Sequence, residues 1–147
     1  MPIRKIYSYL LVSLQFIAIL LIIIYSFFNN FGFIQITLTM YGVLLGVYAI
    51  FSMRKSKLRI TPELAENATL IKTGPYKYIR HPMYSAVLLF CLGFFLTNIW
   101  SMTAIIYLSL IIILNLKIIY EEKLLNIAFS NYKSYAKKTK KLIPYIY

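Results

Sequence analysis

Two long tracts without a single Asp, Glu, Lys or Arg, residues 6–53 and 82–116, dominate this chain of 147 residues. A soluble domain spreads charge over its surface, about a quarter of all residues. Here the charged share is 14% against 61% apolar. A bilayer core takes about 20 apolar residues per helix, so each tract is long enough to cross twice. The expectation is an all-α integral membrane protein with about four transmembrane helices and no soluble second domain. No cleavable signal peptide is expected either. Ile6–Phe28 exceeds a signal-peptide core, and no small-x-small site follows it.

The 16 Lys and Arg give a net charge of +12, which raises the question of nucleic acid. Their distribution argues against it. They fall in three blocks, Arg4-Lys5, Arg54 to Arg80 and Lys117 to Lys141, and the turns at Asn29–Gly32 and Thr97-Asn98 have none. Four crossings put all three blocks on one side, the positive-inside pattern with both termini cytoplasmic. The basic excess then faces anionic membrane lipids, and nucleic acid is not an expected partner. The lone Cys91 lies in an apolar run, permits no intrachain disulfide, and reads as a small core hydrophobe.

The spans are expected at Ile6–Phe28, Phe33–Met53, Pro82 to about Leu96, and Met102–Tyr120. Gly42 and Gly46 form a small-xxx-small spacing in the second, which permits close helix packing. Pro62, Asn67, Gly74 and Pro75 break the segment Arg54–His81 into irregular backbone or one short helix. Proline at position 82 suits the first position of a helix, and Trp100 suits an interfacial aromatic. Beyond Tyr120 the last helix is expected to continue, with Leu125, Phe129, Tyr132 and Ala136 as one apolar stripe. That makes a C-terminal amphipathic helix, lying on the membrane or folding over a site.

Two polar clusters interrupt the apolar chain. One is Arg80-His81-Pro82-Met83-Tyr84, which holds the chain's one histidine. The first N–H groups of a helix starting at Pro82 lack intrahelical partners and attract anions. Arg80, His81 and Tyr84 add charge and donors. The bland alternative is that Arg80 and His81 mark the headgroup boundary. The other cluster is Glu121-Glu122, half of the four acids in the chain. Neighbours on a helix diverge by about 100°, so at most one is expected to face inward. Glu122 shares a face with Asn115, and Glu121 shares one with Lys117. Tyr76, Tyr78, Tyr84 and Tyr120 offer aromatic faces to a purine or a sulfonium, although interfacial anchoring explains any single tyrosine equally well. No phosphate loop, zinc spacing, serine nucleophile motif or dinucleotide fingerprint occurs, and no protein-bound metal is expected.

Read in order, Thr61-Pro62-Glu63, Asn67 to Tyr76, Arg80-His81-Pro82-Met83-Tyr84, Glu121-Glu122-x-x-Leu125, Tyr132-x-x-Tyr135 and Leu142-Ile143-Pro144 resemble the isoprenylcysteine carboxyl methyltransferase and phospholipid methyltransferase superfamily. The resemblance covers about residues 55–147. It divides the chain into two N-terminal transmembrane helices over 1–54 and a methyltransferase-like core over 55–147. It implies S-adenosylmethionine as cofactor, held in a cytoplasmic loop region, and a lipid or prenylated small-molecule substrate. Ala68, Thr69, Leu70 and Ile71 would line the adenine side. Tyr76 would contact the cofactor, His81, Pro82, Met83 and Tyr84 would wrap it, and Glu121 matches the family's cofactor-binding glutamate. Lys117 matches a substrate-binding arginine, and with Arg80 and Glu122 it completes the candidate catalytic set. An amine acceptor would need Glu122 or His81 as base.

Three positions depart from the family pattern. Ala86 and Ser130 replace glycines, and Lys117 cannot supply the bidentate fork of an arginine. Two alternatives stand beside methyl transfer: a nicotinamide-dependent membrane reductase of the sterol reductase kind, and a non-catalytic lipid-binding protein that keeps the pocket.

Overall fold

The structure, a computed structural model, describes residues 2–54, 69–99 and 102–147. These form five α-helices: α1 Pro2–Ser26, α2 Phe33–Met53, α3 Pro82–Phe95, α4 Met102–Ala128 and α5 Tyr132–Lys138. A 3-10 turn spans Gly74–Lys77, and the described residues contain no strand. In lipid every backbone N–H and C=O must be satisfied within the segment, and helices do this. Trp100 and residues 55–68, including Pro62 and Asn67, lie outside the described residues.

The helices are all-α and membrane-spanning as expected, with boundaries close to those the sequence marks. α1 from Ile6, α2 and α4 are each long and apolar enough to cross a bilayer. α3 is shorter, with 14 residues, about 21 Å at 1.5 Å per residue against a hydrocarbon core of about 30 Å. Its start follows directly on His81, which lies beside Glu121 and Glu122 of α4.

α1 packs on α4 and α2 on α3, with α3 also touching α1 and α4. Ser8, Leu11, Gln15, Ala18, Ile22 and Ser26 are buried on α1, at spacings of three and four that define one helix face. Ala18 and Ile22 meet Leu110 and Leu114 of α4 and Cys91 of α3 in the core. Phe16, Ile17, Leu20 and Ile24 of α1 and Ile105, Leu108 and Ile112 of α4 are exposed. Such an apolar exterior suits lipid, where close packing rather than water exclusion joins helices.

The α2–α3 contact shows this packing at its closest. A Cβ added at Gly42 would sit 2.5 Å from the Phe90 nitrogen and 2.9 Å from the Ala86 carbonyl oxygen. At Gly46 the same atom would meet the Ala86 Cβ at 3.5 Å. The missing side chains of α2 thus leave the room that the Ala86 methyl takes.

The two ends of the bundle differ. At the far end, the Asn29 side chain donates to the Thr97 hydroxyl at 3.5 Å and Gln35 donates to the Leu96 carbonyl at 3.4 Å. At the other end the Tyr7 and Tyr120 rings meet edge-on at 5.5 Å. The start of α1, the ends of α2 and α4 and the start of α3 gather there. The polar loop and the basic tail share that end.

The expected continuous amphipathic stripe does not form on one helix. α4 ends at Ala128, the chain turns at Phe129–Asn131, and α5 begins at Tyr132. Ser130 and Asn131 favour turns because their side chains compete for backbone hydrogen bonds. Among the described residues Tyr145 is the one non-glycine with positive φ, so position 130 has no conformational need for glycine. Tyr132 and Tyr135 remain buried, and the tail folds over the polar end of the bundle.

Gly42→Ala is expected to lower stability by about 1–3 kcal/mol through overpacking against α3 backbone, while Gly46→Ala stays near neutral. Thermal unfolding of the two variants in detergent checks this difference.

Candidate functional site

Gly74 adopts φ +60°, a left-handed conformation open to glycine. A Cβ there would run into the Ser52 hydroxyl of α2. The turn Gly74–Lys77 then delivers Tyr78–His81 to the bundle, and Pro82 starts α3. Between these points the chain pairs with the tail. The Arg80 N–H donates to the Lys140 carbonyl at 2.7 Å and the His81 N–H to the Lys141 carbonyl at 3.0 Å, while the Lys140 N–H donates to Tyr78 at 3.1 Å. The Ser85 hydroxyl adds a bond to the Leu142 carbonyl at 2.6 Å, and the Tyr135 hydroxyl one to the Tyr76 carbonyl at 2.6 Å.

Side chains complete the joint. Arg80 Nε donates to Glu122 Oε1 at 2.7 Å, and Nη1 to the carbonyls of Ala136 (3.0 Å) and Thr139. His81 is 4% exposed and sits between both carboxylates. Its Nδ1 is 3.4 Å from Glu121 Oε2 and its Nε2 is 3.5 Å from Glu122 Oε1. Those separations are long for hydrogen bonds, and Nε2 has no hydrogen-bond partner. The imidazole stacks on Tyr84 at 5.5 Å, whose hydroxyl donates to Glu121 Oε2 at 3.0 Å.

Both acids therefore face the loop, contrary to the expectation that at most one would. Arg80 and His81 both reach the same Glu122 oxygen, and His81 also reaches Glu121. His81 thus spans the gap between the two carboxylates. Burial alone would lower the His81 pKa, but the two adjacent carboxylates outweigh it and raise His81 above its ordinary value. Burial, reinforced by the Glu121 charge, raises the Tyr76 phenol well above its ordinary range. Burial also pushes the Tyr135 phenol up to about 12.

The predicted site residues divide by location. Thr69, Leu70, Ile71, Tyr76, Arg80 and Glu121 line one cavity of about 70 Å³, closed by Tyr132 and Tyr135. His81, Tyr84 and Glu122 adjoin it through the contacts above. Pro82 is buried at the start of α3. The Tyr84 and Ser85 N–H groups of that first turn are already bonded to the His81 carbonyl. Met83 lies elsewhere, in a cleft of about 220 Å³ with Ile19, Gly42 and Val87. Ala68 is outside the described residues. Lys117 is 2% exposed, points to α1, donates to Gln15 Oε1 at 2.5 Å and lies 4.9 Å over the Tyr84 ring.

A separate groove of about 920 Å³ runs between α3 and α4 under the tail, lined by Leu88, Leu92, Tyr107, Ile111, Asn115 and Tyr147 among others. Sequence reasoning assigned no role to Gln15, or to Tyr147, whose hydroxyl donates to Asn115 Oδ1 at 3.1 Å. Gln15 had a signal: it is the one amide on the Ser8–Leu11–Gln15–Ala18–Ile22 stripe. Tyr147 had none, because its contact joins residues far apart in the chain.

The model of the isoprenylcysteine carboxyl methyltransferase family matches residues 33–127. The match takes in α2, which the sequence resemblance had left out, and stops before α5. Among curated proteins, the cobalt-zinc-cadmium resistance protein CzcN of Cupriavidus metallidurans is 34% identical over 80 residues, 54% of this chain. The aligned part spans 37% of that protein's own length. No solved structure matches.

Arg80→Lys removes the fork that joins α4 to the tail, and is expected to cost roughly 2–3 kcal/mol for a pair only partly shielded from water. Faster tryptic cleavage at Lys137–Lys141 would report the loosened tail. His81 also makes a pH prediction. Its raised pKa stabilises the fold fully below the unfolded value of about 6.5, and this contribution is lost as pH rises through the folded value. The melting-temperature advantage of the unaltered protein over His81→Gln should therefore shrink as pH increases above about 6.5.

Proposed function

The chain belongs to the isoprenylcysteine carboxyl methyltransferase family, and we propose that it transfers a methyl group from S-adenosylmethionine to a lipid-tailed acceptor. The observation that carries this is the adjacency of two unlike compartments at one end of a membrane bundle. One is a polar cleft around Glu121, His81 and Tyr76. The other is the apolar groove of about 920 Å³ between α3 and α4. A charged water-soluble cofactor suits the first and a hydrophobic chain the second. The positive-inside pattern assigns this end to the cytoplasm.

The donor set fits such a cofactor in chemistry. Glu121 accepts hydrogen bonds from an ammonium or a ribose diol. The unpartnered His81 Nε2 and Tyr132 hydroxyl offer buried polar atoms, and Tyr76 offers an aromatic wall. Its volume is small: a small-molecule site holds about 300–1,000 Å³, and the cleft about 70 Å³. Binding therefore requires the Phe129–Tyr135 side of the cleft to yield. The bonded first turn of α3 leaves it little capacity to hold a carboxylate.

When bound, the cofactor supplies an already activated methyl on a sulfonium. What remains for the protein is to align the acceptor and exclude water, worth several kcal/mol. His81 is held toward its protonated form by two carboxylates, and Glu122 is tied to Arg80. Neither is free to take a proton, which favours an acceptor that needs no base, such as an anionic oxygen. Lys117 points away from the groove toward Gln15, so its place is in holding the Tyr84 ring beside Glu121 rather than in touching the acceptor.

Purified protein is expected to bind S-adenosylmethionine and to transfer labelled methyl to extracted lipid or a prenylcysteine analogue. Glu121→Gln should weaken cofactor binding about tenfold to hundredfold, the range for a hydrogen bond to a charged group. Absence of both binding and transfer in the unaltered protein would sink the proposal. Competition by a nicotinamide cofactor would point to a reductase instead.

A further inference from the structure

A lysine near the end of a membrane helix ordinarily extends outward, so that its charge reaches the headgroups and water. Lys117 does the reverse. The contact of Tyr7 with Tyr120 sets α1 beside α4 at the polar end. Measured inward from that contact, Lys117 lies about 4.5 Å along α4 and Gln15 about 12 Å along α1. The Lys117 ammonium reaches inward to Gln15, donating to its Oε1 at 2.5 Å. Both side chains are buried, and among the described residues no carboxylate forms a direct ion pair with Lys117.

A buried ammonium without a paired carboxylate needs other partners. Two are present: the Gln15 side-chain carbonyl, and the face of the Tyr84 ring at 4.9 Å, an arrangement that attracts a cation. Tyr84 carries the connection into the candidate site. Its hydroxyl donates to Glu121 Oε2 at 3.0 Å, and its ring stacks on the His81 imidazole at 5.5 Å. Gln15 is thus joined to Glu121 and His81 through two intervening side chains. It lies outside residues 33–127, which the family model matches, so the family pattern gives it no role.

We infer that Gln15 is a positioning residue of the candidate cofactor site. By holding the Lys117 ammonium over the Tyr84 ring, it sets where Tyr84 presents its hydroxyl to Glu121 and its ring to His81. The first membrane helix is then part of the site rather than packing alone. The inference rests on the methyl-transfer reading for the name of the ligand, but the relay belongs to the free protein and is measurable without one.

The chain's one histidine supplies the probe. Full-length protein carrying no histidine tag and labelled with nitrogen-15 histidine gives imidazole signals from His81 alone, and these respond to the Tyr84 ring stacked on it. Q15L is expected to shift them, and Q15E, which keeps an acceptor on the same stem, to restore them. L11A is the control, on the same buried face of α1: it should lower the melting temperature and leave the signals in place. Q15L/K117M removes both partners together, which is near neutral when a buried pair only satisfies itself; the relay predicts the same shift as Q15L. Q15L should also weaken S-adenosylmethionine binding about two- to tenfold, the effect of one disturbed hydrogen bond. Should Q15L fail to fold, Q15N withdraws the amide by one methylene and should shift the signals in the same direction. Unmoved imidazole signals, an equal shift in L11A, or a shift that leaves cofactor affinity unchanged would overturn the inference. A shift in a protein whose unaltered form binds no S-adenosylmethionine would support the relay and overturn only the identity of the ligand.

Discussion

The ion pair between Arg80 and Glu122, with His81 wedged between Glu122 and Glu121, is the constraint around which this bundle is organised. Two carboxylates at the end of an apolar helix are costly unless matched by cations and donors. At 1.5 Å per residue, position 121 is about 28 Å along α4 from Met102, near the edge of a hydrocarbon core of about 30 Å. The protein matches the acids with the chain's one histidine, an arginine fork and the Tyr84 hydroxyl. Arg80 also bonds to tail carbonyls, so the same contact that neutralises α4 fastens α5 across the site.

From that joint follows the division of the polar end into compartments. The loop and tail, stitched by backbone bonds from residues 78–81 to 140–141, form a partition. The acidic cleft lies on one side and the apolar groove on the other. The short α3 makes room for the partition, and close packing of α2 on α3 through Gly42 holds α3 in place. Ala86 departs from the family's glycine without a clash, because Gly46 faces its methyl across the contact. That departure from the family pattern is thus accommodated by packing. Lys117, buried against Gln15 and Tyr84, braces the cluster from the α1 side, which the family match does not include.

Much of this was legible in the chain. The bounds of α2 follow from an uncharged run between Gly32 and Arg54, and the start of α3 follows from Pro82. The meeting of the His81 loop with the acidic pair was expected from motif resemblance, and the helices bring them together. What escaped was long-range or required side-chain reach. A helical-wheel rule treats Glu121 and Glu122 as pointing apart, and misses that one imidazole, His81, can lie between them. The break at Phe129–Asn131 is weakly encoded, by two turn-prone residues within an otherwise continuous apolar period. The Tyr147–Asn115 contact and the backbone pairing of Ile79 with Lys140 leave no local pattern at all. The placement of Met83 in a different cleft reflects the same limit: neighbours in a motif diverge once a helix begins.

The central claim is that the acidic pair and the His81 loop jointly form a cofactor site beside a lipid groove. Ultraviolet cross-linking of radiolabelled S-adenosylmethionine to the membrane-embedded protein, followed by peptide mapping, tests it most directly. The account predicts label on residues 69–84 and on the α4–α5 segment around 121–135, displaced by S-adenosylhomocysteine. Label confined to α1, α2 or the far-end turns, or label that S-adenosylhomocysteine fails to displace, would contradict it.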